Sequence, residues 1–156
     1  MMARIRSTIA KLGDAQGNAL IEFAFVVMVL GVLGVGMFDF GRYGMLYTRA
    51  HNAARAGVQY GTLSDDTAVD VAGMTNAARF DAQVEDDEED FVVQARRFCM
   101  CPADDDETNC ANNCDDGAYA PVFVEVTVTD SLDLFFDYPG IDASLPIVTR
   151  AQMRAR

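Results

Sequence analysis

Histidine occurs once in these 156 residues, and arginine and lysine together number 12 against 24 aspartates and glutamates. His51 stands on a helix flank with no Gly-rich phosphate loop, nucleophile motif or metal triad beside it. A catalytic centre needs several such groups in concert, so the chain reads as a non-enzyme without cofactor or metal. The shortage of bases is more severe than the formal charge of −12 conveys. Arg4, Arg6 and Lys11 sit in the first 17 residues with one acid, Asp14, which leaves nine bases against 23 acids, or −14, for the remainder. A surface of that sign repels nucleic acid and anionic lipid headgroups and excludes both as partners of the soluble part.

Charge is absent altogether from Phe23 to Phe38, and with Ala19, Leu20 and Ile21 the segment reaches membrane length if Glu22 is tolerated. A span needs roughly 20 residues. A cleaved secretory signal would end its apolar core in a small-residue site, whereas this run ends in GMFDFGRYG, with Phe38, Phe40, Tyr43 and Tyr47 marking a membrane boundary. Bases before the run and acids after it predict a single-pass protein of the inner membrane, N-terminus cytoplasmic and C-terminal domain periplasmic.

Residues 19–60 read as one helix, which at 1.5 Å per residue reaches about 60 Å, twice the hydrocarbon thickness. Its second half is amphipathic: Leu46, Ala50, Ala53, Ala54, Gly57 and Val58 share one face, and Thr48, Asn52, Arg55 and Gln59 lie opposite. Small residues on the apolar face allow another layer to approach closely. Gly31, Gly34, Gly36, Gly41 and Gly44 interrupt the membrane half and its exit, either softening the helix or admitting close packing, with no GxxxG in the span.

Beyond Gly61, Thr67 to Asp70 offers a capping box for a short helix over roughly 68–80, weakened by Gly73. EDDEED at 85–90 reads as a solvated linker, since it lacks the spacing and central glycine of a calcium loop. Three segments alternate as strands: Phe91 to Phe98, Pro121 to Thr129, and Leu145 to Arg154. In the second, Val122, Val124, Val126 and Val128 share one face, and Phe123, Glu125, Thr127 and Thr129 the other. A small antiparallel sheet laid on the small-residue face of the long helix gives an α+β architecture of four parts. These are residues 1–17, a cytoplasmic leader; 18–40, the membrane half of the helix; 41–61, its exported half; and 62–156, an exported domain.

Cys99, Cys101, Cys110 and Cys114 depart from the paired spacing of zinc sites, and an exported domain meets an oxidising compartment, so two disulfides are expected. Cys99 and Cys101 cannot easily bond to each other. That leaves 99–110 with 101–114, or 99–114 with 101–110.

Gly17, then Asn18, Glu22 as the fifth residue from Asn18 and Phe23 as the sixth, resemble the start of type IV prepilins. GNALIEFAFVVMVL followed by FDFGRYGMLYTRAHNAARAGVQYG is similar to the TadE-like minor pilins, or pseudopilins, of tight-adherence (Tad, or Flp) pili, and the cysteine pairs, the Y-P-G turn at Tyr138 to Gly140 and the terminal strand extend the likeness. The acidic runs EDDEED and DDDE depart from that pattern. The resemblance implies cleavage between Gly17 and Asn18 by a prepilin peptidase. It implies a role for Glu22 and Phe23 in subunit docking, with Glu22 facing a pilin N-terminal amine. It also implies major and minor pilin partners, an assembly platform, and a place in priming or building a surface-attachment pilus. The other class left open is a membrane-anchored periplasmic binding or assembly protein that never enters a filament.

Overall fold

The computed structural model describes residues 2–84, 90–101, 107–115, 117–136 and 138–155. The acidic run at 85–89 and most of DDDE lie outside the described residues. The chain divides into two units, Met1–Gly41 and Arg42–Arg156. The elements in order are α1 (Met2–Gly61), α2 (Asp65–Val69), α3 (Val71–Ala82), β1 (Val92–Met100), β2 (Glu107–Thr108), β3 (Val122–Asp133) and β4 (Ser144–Arg154). The fold is α+β, as the sequence predicts, with four strands rather than three among the described residues. α1 begins well before the expected residue 19, because the leader holds good helix formers and no proline.

The strands form one antiparallel sheet in the order β2-β1-β3-β4. β3 is its spine, and the valine alternation predicted for it buries Val124, Val126 and Val128 completely. The strand runs on past Thr129, where the expected segment ends. Asp130 pairs with Ile147 and Leu132 with Leu145, and Leu132 is buried in its turn. The hairpin then closes at the expected Y-P-G: the Ile141 N–H donates to the Tyr138 carbonyl, and Gly140 holds φ +83°, the type II geometry that favours glycine after proline.

In the second unit, the apolar face of α1 meets this sheet and α3. Ala50, Ala53, Ala54 and Val58 are fully buried, while Thr48, Asn52, Arg55 and Gln59 are exposed, as the helical spacing predicts. A Cβ on Gly57 would stand 3.0 Å from both the Met74 carbonyl oxygen and Val126 Cγ2. On Gly61 it would stand 3.2 Å from Val124 Cγ2. Because Val124 lies by Gly61 and Val126 by Gly57, β3 runs antiparallel to α1. Arg42 Nη1 donates to the Asp133 carbonyl at 3.2 Å and fixes the other end. The spacing is consistent: from Gly57 back to Arg42 the helix covers roughly 22 Å at 1.5 Å per residue, and from Val126 to Asp133 the strand covers roughly 23 Å at 3.3 Å per residue.

α3 fills the remaining side with Met74, Ala78 and Ala82, spaced four apart and buried. Arg49 of α1 caps its C-terminal end, donating from Nε to the Ala82 carbonyl at 2.9 Å while its guanidinium lies over the Phe91 ring. A cation at the last carbonyls satisfies groups that the helix leaves open. On the far face of the sheet Glu125 is only 4% exposed, although it faces away from the core. Arg96 covers it, with Nε 2.7 Å from Oε1, and the same guanidinium reaches Glu107, tying the two-residue β2 to the sheet. Both carboxylates raise the already high Arg96 pKa.

The helical region after Gly61 differs from the single helix expected over 68–80. It breaks at Asp70 into α2 and α3, and the capping box is formed by Ser64 and Thr67, one turn earlier than the pattern indicated. Asp70 ends α2 and is the N-cap of α3, where its Oδ1 accepts from the Gly73 N–H at 2.8 Å and its Oδ2 accepts from the Tyr60 hydroxyl at 2.8 Å. Gly73 is the reason the pair can form, because a Cβ there would run into Asp70 and the Tyr60 ring. The glycine that weakens the helix in sequence makes room for its cap.

The Gly73 amide and then the Tyr60 hydroxyl lower the Asp70 pKa, and the bond to Asp70 raises that of Tyr60. A depressed carboxylate pKa contributes stability that is present above the ordinary value of about 3.9 and is lost as pH falls through the folded value. A raised tyrosine pKa contributes stability that is present below about 10 and is lost as pH rises through the folded value. The stability difference between the protein and Tyr60→Phe should therefore be level across neutral pH and shrink at both extremes. Chemical unfolding in detergent at a series of pH values measures it; a difference that grows below pH 4 contradicts the assignment.

Candidate functional site

Gly17, Asn18, Glu22 and Phe23 all lie on α1 and are exposed. Asn18 and Glu22 are four residues apart, hence on one helix face and about 6 Å apart along the axis. An amine created at residue 18 would lie one turn from the only carboxylate between Gly17 and Phe38. Around it the large apolar side chains from Leu20 to Leu33 point outward, Leu20 at 69% and Phe23 at 66% exposure. Among the described residues this is the one helix long and apolar enough to cross a membrane, and none of its apolar window is buried. Such a surface needs a hydrocarbon solvent or other apolar helices to cover it. A Cβ at Gly31, Gly34, Gly36, Gly41 or Gly44 meets nothing within 4 Å, so neither the softness nor the close packing considered for these glycines leaves a mark within one chain.

His51 is half-buried on the flank of α1, its ring parallel to that of Tyr47 at 6.3 Å, and Tyr47 continues the stack to Tyr43 at 6.4 Å. The spacing of four makes this a ladder along the helix. No set of three or more histidine, cysteine or acidic side chains is placed to hold a metal among the described residues. Sequence reasoning found the Y-P-G turn but not what precedes it: Phe135 and Phe136 stand exposed at the tip of the β3–β4 hairpin, with Arg42 over the Phe135 ring at 5.9 Å. The available signal was the adjacent aromatic pair in LDLFFDYPG.

The four cysteines form two disulfides, Cys99–Cys110 and Cys101–Cys114, with Cα separations of 5.0 and 5.7 Å. Of the two pairings open in sequence, the structure has this one. Cys99 stands opposite Thr108 and Met100 opposite Glu107, which places Cys110 two residues past the partner of Cys99. No thiolate is left for zinc. The loop they strap closes on itself through the Cys114 N–H to the Ala118 carbonyl and the Gly117 N–H to the Cys114 carbonyl, both 2.8 Å. Non-reducing peptide mapping should recover these two bridges and no free thiol. Removing either pair by Cys→Ser should cost about 2–5 kcal/mol; a nested pairing of Cys99 with Cys114 in the map contradicts this connectivity.

Residues 17–59 match the family model for the TadE-like protein. The match begins at Gly17, includes Asn18, Glu22 and Phe23, and ends before the sheet. No curated protein and no solved structure matches the chain. The likeness to TadE-like proteins thus covers α1 from Gly17 to Gln59 and none of the sheet.

Proposed function

We propose that the protein is a minor pilin or pseudopilin that takes part in assembling a tight-adherence pilus, either priming the filament or entering it. The observation that carries this reading is the TadE-like match over the helix that bears Gly17, Asn18, Glu22 and Phe23 in prepilin order. The outward apolar side chains of that helix support an inner-membrane anchor. Two disulfides support an oxidising side for the C-terminal domain, hence a cytoplasmic N-terminus and a periplasmic or surface-displayed sheet. On this reading residues 1–17 are the leader, 18–40 the span and 41–61 the exported part of the helix. A prepilin peptidase cuts after Gly17, and the partners are other pilins and the assembly platform.

The physics of Glu22 fits docking. A carboxylate within a span costs about 2.5–3.5 kcal/mol at the bilayer centre and is retained where it is paired or functional. A neighbouring subunit's α-amine, or the chain's own one turn away on the same face, supplies the pair. Other pilin helices supply the apolar cover that a single chain lacks.

N-terminal sequencing of membrane-extracted protein should begin NALIEF, and an intact Met1 leader in the mature pool reverts the segment to a plain signal anchor. Glu22→Gln should be inserted and cleaved yet be depleted from sheared pili. Removing one partner of a buried charge pair commonly costs about 2–5 kcal/mol. Normal incorporation of the variant removes the pairing role. Absence of the unmodified protein from purified pili, in a strain that makes them, favours a membrane-anchored protein outside the filament.

A further inference from the structure

The β3–β4 hairpin ends in an apolar tip with no role in the core. Phe135 is 66% exposed, Phe136 55% and Ile141 52%, gathered around the Tyr138-Pro139-Gly140 turn, and the two phenylalanine rings lie 6.4 Å apart. Three large apolar side chains presented together on an otherwise acidic domain are a contact surface. The position of the tip within its unit identifies the contact. β3 runs antiparallel to α1, from Val124 beside Gly61, past Val126 beside Gly57, to Asp133, whose carbonyl accepts from Arg42. Arg42 is the first residue of this unit and follows the apolar segment directly in sequence. The strand therefore leaves the unit at the end where the helix enters it, the end from which the apolar segment continues in sequence. Residues after Asp133 continue beyond Arg42 by up to about 10 Å at strand pitch, which is the depth an interfacial side chain needs to reach the headgroup layer.

We propose that the tip of the β3–β4 hairpin, through Phe135, Phe136 and Ile141, is a second membrane contact that dips into the headgroup and acyl boundary of the bilayer holding the anchor. Aromatic side chains favour that zone. Arg42, held by the Asp133 carbonyl and lying over Phe135, places a guanidinium where lipid phosphates lie. The exposed Asp133 and Asp142 flank the tip, so the contact takes zwitterionic lipid and gains nothing from anionic lipid. It fixes the orientation of the domain against the membrane. The proposal rests on the membrane anchoring in the reading above and not on its pilus part.

The chain contains no tryptophan, so Phe136→Trp supplies a single fluorescent reporter and Tyr119→Trp, at an 80% exposed position in the disulfide-strapped region, a second. Both full-length variants are reconstituted in phosphatidylcholine vesicles carrying bromine near the top of the acyl chains. Co-flotation with the vesicles reports the anchor separately, so its loss indicts the anchoring and not the tip. The expected result is that Phe136→Trp emits at shorter wavelength, loses most of its emission to bromolipid and resists acrylamide, while Tyr119→Trp is open to acrylamide and untouched by bromolipid. Adding phosphatidylglycerol should not deepen the lipid quenching. Acrylamide access at Phe136→Trp equal to that at Tyr119→Trp overturns the proposal. So does protection from both quenchers, which signifies a contact with another protein, and so does equal bromolipid quenching of both variants, which signifies adsorption of the whole domain.

Discussion

At Gly57 of α1, Val126 of β3 and the Met74 carbonyl of α3 both press to the distance at which a methyl group would begin to collide. Most of the second unit follows from that contact. With a hydrogen at this position and methyl groups at Ala50, Ala53 and Ala54, the helix axis comes near enough for short valine side chains to complete the layer between helix and sheet. A larger residue would separate the layers and open gaps along all three valines, because interiors are packed too closely to redistribute the space. The valines are in turn a strand requirement, since β-branched side chains suit the pleated surface. Thin side chains on the helix and stiff ones on the strand answer the same geometric demand.

Polar contacts then fix what apolar packing leaves free. Burial is indifferent to sliding along the helix, whereas Arg42 at the Asp133 carbonyl, Arg49 at the Ala82 carbonyl and Tyr60 at Asp70 each tie one point of α1 to one point of the unit. They lie near the start, middle and end of its length there. Two of the three use an arginine against a backbone carbonyl, which removes an unsatisfied acceptor and spends one of the few cations in an acidic chain. Arg96 acts likewise on the far face, where it screens Glu125 and reaches Glu107. Three of the nine bases that follow the leader thus tie one part of the structure to another.

The helix, its buried stripe, the valine face of β3 and the Y-P-G turn were legible because each rests on periodicity or on a local backbone rule that needs no partner. Three features were not. The break at Asp70 depended on Tyr60, ten residues away, and only the bond between them makes Gly73 intelligible. The true end of β3 lay past Thr129, because pairing with β4 extends the ladder through Asp130 to Asp133. β2 consists of two residues whose strand character comes from β1 and the adjoining bridges, not from propensity. Of the N-terminal segment, order and spacing were fully legible, because a helix converts them directly into a common face for Asn18 and Glu22.

Glycine shows most plainly how one residue type answers to different constraints along a single helix. In water at the sheet, Gly57 and Gly61 are small because protein atoms already occupy the space a Cβ would need. At Gly31, Gly34 and Gly36 the same test finds open space, in a stretch whose large neighbours Val32 and Leu33 face outward. Where such a stretch lies in hydrocarbon, association has no hydrophobic drive, and small residues between larger ones are what lets helices come close enough for dispersion contacts to act. Sequence alone cannot separate the two uses, since both appear as glycine at helical spacing. Geometry can: the space a Cβ would need is filled by the chain itself at one set and is open at the other.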